Sequence, residues 1–128
     1  MRRPRIVLVD DLPEMIEYCR DILKAGYDVV GTAADGQSGM AAFEARQPDV
    51  LVLDISMPGM SGLQAARRLR ASGCRAAIVF VSSDLECVDA ALEAGGSAFV
   101  AKSRIAQDLL TAISEALAGR VFVSEFAK

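Results

Sequence analysis

Five polar side chains stand where short apolar runs of this sequence end, and together they suit phosphoryl chemistry. They are Asp10 and Asp11 after RIVLV, Asp54 after VLVL, Ser82 after AAIVFV and Lys102 after SAFVA. Two carboxylates about 4 Å apart repel each other by roughly 4 kcal/mol at an effective dielectric constant of about 20, so three of them require a cation. Mg²⁺ prefers carboxylate oxygens and commonly bridges to a phosphate. A carboxylate can also attack a phosphoryl group to form an aspartyl phosphate, whose oxygens Ser82 and Lys102 are suited to bind.

The elements that must position these side chains follow from the pattern of the chain. Apolar runs rich in Val, Ile and Leu alternate five times with amphipathic helical segments. Runs without polar alternation predict strands buried on both faces, and such alternation predicts a parallel sheet with helices on both sides. The fold class is therefore α/β, a doubly wound (βα)5 three-layer sandwich of flavodoxin-like strand order 2-1-3-4-5. In this order the carboxyl ends of the strands meet in one crevice.

Composition limits the possible functions further. The 128 residues are 52% hydrophobic and 24% charged, as expected for one globular domain. A formal charge of −3 argues against a nucleic-acid-binding surface, and a local basic cluster at helical spacing is interpreted as a solvated face: Arg67, Arg68, Arg70 and Arg75. The absence of histidine excludes imidazole catalysis and most zinc sites. Three cysteines without metal-ligand spacing and no long apolar segment predict a reduced, cytoplasmic protein with no membrane association.

The acidic pair Asp10-Asp11, VLDISMPGMSG around Asp54, Ser82 and Lys102 together resemble one known family. The chain is similar over 5–119 to receiver domains of bacterial two-component response regulators. The stretch from GYDVV to RRLR most resembles receivers that precede a helix-turn-helix DNA-binding domain, the NarL/FixJ group. The resemblance implies that Asp54 accepts a phosphoryl group from a histidine kinase or phosphotransfer protein. It also implies Mg²⁺ as cofactor, with four ligands or water-linked groups: Asp10, Asp11, Asp54 and the carbonyl of Ser56.

The family resemblance also implies a conformational switch. Ser82 would turn towards the phosphoryl group, and Phe99 on the fifth strand would follow it from an exposed to a buried position. For Phe99 an ordinary core role stays equally open. Ser56 and Asp84 occupy positions that tune the lifetime of the phosphate. Lys102 is followed by Ser103 where the family usually has proline after a cis peptide, so we expect a trans peptide or a strained one.

The protein is therefore expected to be a signalling phospho-acceptor rather than an enzyme, and it catalyses only its own phosphorylation and dephosphorylation. We expect residues 1–120 to form the receiver and 121–128 a tail, or the start of a linker to an output domain that acts on transcription. Phosphorylation is expected to favour a homodimer through the fourth and fifth helices or through the first and fifth. The main alternative is a pseudo-receiver, a protein-interaction module that is not phosphorylated. A haloacid-dehalogenase-type hydrolase would need an Asp in place of Ser56, and a flavodoxin would need a phosphate-binding loop after the first strand.

Overall fold

The computed structural model describes residues 2–125, which form one parallel sheet with helices packed on both faces. The strands are β1 Arg5–Val9, β2 Asp28–Ala33, β3 Val50–Asp54, β4 Ala77–Ser82, β5 Ala98–Ala101 and β6 Phe122–Val123. The helices are α1 Pro13–Leu23, α2 Gly36–Arg46, α3 Gly62–Ala71, α4 Val88–Glu93 and α5 Ile105–Leu117. Single 3-10 turns precede the last two helices, at Leu85–Cys87 and Lys102–Arg104. The predicted α/β class and doubly wound topology are confirmed.

The sheet has an apolar core on each side, because successive residues of a strand point to opposite faces. Ile6 and Leu8 of β1 pack in a cluster with α1 and α5. Val7 and Val9 pack on the other side in a cluster with α2, α3 and α4. Strands β3 and β4 are buried along their whole length. This double burial explains why the strands are continuous apolar runs rather than alternating ones.

The sheet contains six strands in the order β2-β1-β3-β4-β5-β6, one more than predicted. Phe122 and Val123 pair in parallel with Ala98 and Phe99 of β5, with α5 as the crossover connection. A strand of two residues is too short to carry a periodic signal in the sequence, so the pattern did not reveal it. The pairing gives the otherwise free edge of β5 a hydrogen-bonding partner. Whether the chain divides at residue 120 stays a prediction, and residues 126–128 of the expected tail lie outside the described residues.

Arg70 is not part of a solvated face, which corrects the interpretation of the basic cluster. Its guanidinium donates two hydrogen bonds to the carbonyl of Gly95, of 3.0 and 2.8 Å. It also donates to the carbonyls of Cys74 at 2.9 Å and Ala76 at 2.7 Å. An arginine has five N–H donors in a fixed plane, so one side chain can join three loop carbonyls. Arg70 therefore ties the end of α4 to the loop that leads into β4, whereas the other three arginines of the cluster are exposed.

No helix between residues 2 and 125 combines the length and the apolar character that crossing a bilayer would require.

Candidate functional site

The parallel strand order brings the polar strand-end residues to one edge of the sheet. Asp54 is the last residue of β3; of the two neighbouring strands, β1 is followed directly by Asp10 and β4 ends at Ser82. Lys102 follows β5, one strand further along. Carboxylate oxygens of Asp10, Asp11 and Asp54 all lie within 4.8 Å of one another. The three carboxylates therefore form one acidic cluster, as the sequence predicted.

Lys102 is the cation of this cluster. Its Nζ lies 3.4 Å from Oδ2 of Asp54 and 3.6 Å from Oδ2 of Asp10. Both carboxylates are buried, whereas the lysine side chain remains partly exposed. One ammonium group faces three carboxylates, so the cluster keeps a net negative charge when all of them are ionised. Such a site favours a further cation.

Burial and mutual repulsion set the proton affinity of the two buried carboxyls. Burial, together with the charge of Asp10, raises the pKa of Asp54 to about 6, although Lys102 and the amide of Ser56 act in the opposite direction. Burial also raises the pKa of Asp10, against the opposing effects of the Leu12 amide and Lys102. Both groups are thus ionised less readily than ordinary aspartates. Burial and repulsion therefore disfavour the ionised carboxylates, and a bound divalent cation would offset this unfavourable energy.

Backbone contacts hold these carboxylates in place. The amide of Leu12 donates to Oδ1 of Asp10 at 2.9 Å, and the amide of Ser56 donates to Oδ1 of Asp54 at 3.2 Å. Gly62, the first residue of α3, lies so close to β3 that a Cβ there would be 2.2 Å from the carbonyl oxygen of Asp54. Only glycine permits this approach of the helix to the strand end. The sequence did not reveal this role of Gly62, because the path of the chain after Asp54 cannot be read from residue types alone.

The remaining predicted site residues lie around the cluster. Ser82 is buried, and its Oγ accepts a hydrogen bond of 3.0 Å from the amide of Asp84. Ser56 and Asp84 are exposed, and the carboxylate of Asp84 accepts from the amide of Glu86. Phe99 is fully buried in the core on the side of α2, α3 and α4. The peptide between Lys102 and Ser103 is trans, like every other peptide bond of the described chain. The switching and lifetime roles of these residues stay predictions.

The donor set fits a hard divalent cation. Three carboxylates converge at the site. Ser56, whose carbonyl was predicted as a fourth ligand, lies two residues after Asp54. Oxygen-only donors suit Mg²⁺, which keeps several waters and needs few protein ligands. The cluster contains no sulfur or imidazole ligand, which zinc would favour.

Comparisons with known proteins agree with this geometry. The profile of the family described as "Response regulator receiver domain" matches residues 6–114 of the chain. The chain is 36% identical over 124 residues to the nitrate/nitrite response regulator protein NarL of Escherichia coli K12, covering 94% of this chain and 57% of NarL. It is 33% identical to the chemotaxis protein CheY of Bacillus subtilis, covering 88% of this chain and 97% of CheY. The chain thus spans little more than half the length of NarL but nearly all of CheY.

Solved structures show the same architecture. A LuxR-family two-component response regulator from Aurantimonas sp. SI85-9A1 superposes with a TM-score of 0.92 at 34% identity, covering 98% of this chain and 93% of that one. The signal receiver domain of NarL from Mycobacterium tuberculosis gives a TM-score of 0.87 at 30% identity, covering 94% of this chain and all of that one. The chain belongs to the response regulator receiver family and is the receiver domain of a two-component response regulator.

Proposed function

We propose that this receiver accepts a phosphoryl group on Asp54 from a histidine kinase or a phosphotransfer protein. The observation that carries the proposal is the position of the Asp54 carboxylate. It is buried, 3.4 Å from the ammonium of Lys102, and within 4.8 Å of two further carboxylates. Asp10, Asp11, Asp54 and the carbonyl of Ser56 would hold Mg²⁺. When bound, Mg²⁺ neutralises negative charge on the carboxylates and on the incoming phosphoryl oxygens.

The transfer requires no general base. A carboxylate oxygen of Asp54 attacks the phosphorus, and the bond from phosphorus to the donor breaks: P–N in a phosphohistidine or P–O in acetyl phosphate. The donor leaves with the bonding electron pair, and a mixed anhydride forms on Asp54. Lys102 stabilises charge on the phosphoryl oxygens, so positioning and charge neutralisation supply most of the acceleration. Attack of water on the phosphorus later breaks the P–O bond to Asp54, which releases inorganic phosphate and restores the carboxylate.

The phosphoryl group then biases a two-state element. In this conformation Ser82 Oγ accepts a hydrogen bond from the amide of Asp84. The hydroxyl hydrogen of Ser82 can therefore be donated to a phosphoryl oxygen. Rotation of Ser82 towards the acceptor would favour the conformation in which Phe99 is buried, the position that Phe99 already has in this structure. The exposed Ser56 and Asp84, each two positions after the end of its strand, would tune access of the hydrolytic water.

The output is proposed from the relatives. NarL, of which the chain matches 57%, carries the name of a nitrate/nitrite response regulator, and a similar solved structure is described as LuxR family. We infer that the receiver controls transcription through a covalently linked helix-turn-helix domain in a longer parent, and that phosphorylation favours a homodimer. The receiver itself does not contact nucleic acid. The alternative, a pseudo-receiver that works without phosphorylation, is not favoured by the comparisons.

Intact mass after incubation with acetyl phosphate tests the proposal. The unaltered chain should gain one phosphoryl group only when Mg²⁺ is present, and Asp54→Asn should gain none. Asp21→Asn, which removes an exposed carboxylate on α1, is the matched control and should behave like the unaltered chain. No gain in the unaltered chain would establish the pseudo-receiver instead. A gain that persists in Asp54→Asn would show that another carboxylate is the acceptor.

A further inference from the structure

A buried polar network joins the C-terminal strand to the start of α5. Ser124, fully buried, donates from its Oγ to Oδ2 of Asp108 at 2.7 Å. Arg104 holds the same carboxylate with two hydrogen bonds, of 2.9 Å from Nε and 3.2 Å from the terminal nitrogen. Ser124 lies beyond residues 6–114, which match the receiver family. The network is therefore built partly from a segment outside the family match.

The network brackets the short segment that carries Lys102. On one side the amide of Ala101 donates to Oγ of Ser124 at 3.0 Å. On the other side Arg104, two residues after the lysine, is held by Asp108. Lys102–Arg104 is a single 3-10 turn without a side-chain cap of its own. One buried carboxylate thus fixes both ends of the turn from which the Lys102 ammonium reaches Asp54.

The same strand also contacts the backbone of Phe99. The amide of Ser124 donates to the carbonyl of Phe99 at 2.9 Å, and Val123 pairs with Phe99 in the sheet. The Ser124 hydroxyl uses its donor and its acceptor at once, so its removal would leave the buried Ala101 amide without this partner. Arg104 lowers the pKa of Asp108, which keeps the carboxylate charged and its hydrogen bonds strong.

We propose that Ser124, Asp108 and Arg104 are positioning residues for Lys102, and that docking of β6 and phosphorylation of Asp54 therefore favour each other. The inference rests on the proposed function of Asp54 as phospho-acceptor. Energetic coupling between two sites is reciprocal. If docking of β6 places Lys102 and so raises the affinity of the site for a phosphoryl group, a bound phosphoryl group must strengthen the docking of β6 by the same factor. Docking of β6 would then couple phosphorylation of Asp54 to a covalently linked output domain.

The first half of the test measures the rate of phosphorylation. Ser124→Ala should lower the rate with acetyl phosphate and Mg²⁺ by about threefold to tenfold, the effect of losing one ordinary positioning hydrogen bond. Modification should still reach one phosphoryl group on Asp54. Ser114→Ala, an exposed serine-to-alanine change on α5, is the matched control and should leave the rate unchanged. A merely structural Ser124 would lower the melting temperature without changing the rate of the folded protein.

The second half uses the unaltered 128-residue chain, so it holds even if Ser124→Ala fails to fold. Hydrogen exchange of the amides of β6 and of Ser124, which follows it, is measured with and without the phosphoryl analogue beryllofluoride in the presence of Mg²⁺. Exchange should slow by about threefold to tenfold, because binding of the phosphoryl analogue and docking of β6 are coupled equilibria. The amides of β2, at the opposite edge of the sheet, are the control and should not change at their amino-terminal end.

The outcomes separate this inference from the function on which it rests. If the unaltered chain is phosphorylated and Ser124→Ala reacts at the same rate, the positioning role is overturned and the proposed function stands. Unchanged exchange of β6 with beryllofluoride bound overturns the coupling in the same way. If the unaltered chain gains no phosphoryl group, both proposals fall together.

Discussion

Two buried aspartates near the same end of the molecule have opposite electrostatic surroundings. Asp54 is 2% exposed and Asp108 is 7% exposed, and each lies beside one basic side chain. Burial and a neighbouring carboxylate raise the pKa of Asp54 to about 6. Arginine and serine hydrogen bonds lower the pKa of Asp108. Burial alone therefore does not decide how a carboxylate behaves.

The supply of donors makes the difference. Asp108 accepts two hydrogen bonds from Arg104 and one from Ser124, all between 2.7 and 3.2 Å. Asp54 accepts a single amide bond of 3.2 Å and a lysine contact of 3.4 Å, and shares that lysine with Asp10. Asp108 is fully paired, which suits a structural carboxylate. Asp54 is left short of positive charge, which suits a group that must receive a cation and a phosphoryl group.

The largest effect on stability is expected at the paired carboxylate. Asp108→Asn should lower the free energy of unfolding by about 2 kcal/mol, because it removes charge-assisted hydrogen bonds from a buried site. Urea unfolding measures the change. Asp89→Asn is the matched control, since Asp89 also stands in the first turn of a helix but is exposed. Equal stability of the two variants would show that Asp108 is not the structural carboxylate described above.

Asp54→Asn should have the opposite sign. Without Mg²⁺ it should raise the free energy of unfolding by about 1–2 kcal/mol at pH 7.5 and leave it nearly unchanged at pH 4. The folded-state pKa of Asp54, about 6, lies above its ordinary value of 3.8, so the folded protein binds more protons and loses stability as the pH rises between these values. Above about pH 6.5 the gain should be constant. Urea unfolding at the two pH values measures the change, and an asparagine variant less stable than the unaltered chain at pH 7.5 would contradict the prediction.

The sequence predicted the parts of the molecule that depend on regular patterns. Continuous apolar runs predicted five strands, and parallel topology then placed Asp10, Asp54 and Lys102 at one edge. This inference is strong because a doubly wound sheet fixes which strand ends are neighbours. It needs no knowledge of side-chain positions.

Contacts made by single residues from distant segments could not be predicted. The two-residue strand β6 gives no periodicity, and the bond from Ser124 to Asp108 depends on the exact path of the chain after α5. Arg70 shows the same limit, because helical spacing identifies its exposed neighbours but not the loop carbonyls of Gly95 and Ala76. The sequence therefore identified the incompletely paired aspartate, which lies at a strand end, and missed the fully paired one.

The smallest expected effect separates the two aspartates by their response to pH. Because the pKa of Asp54 is about 6, only about a quarter of the metal-free protein has this carboxylate ionised at pH 5.5, against nearly all of it at pH 7.5. A cation must displace that proton, and the pKa of Asp10 is raised as well, so the affinity for Mg²⁺ should be at least about fourfold lower at pH 5.5 when measured by titration calorimetry. Asp108→Asn should show the same fourfold change, since its lowered pKa keeps Asp108 ionised at both pH values. A pH-independent affinity in the unaltered chain would mean that Asp54 is already fully ionised at pH 5.5, and the contrast between the two carboxylates would not hold.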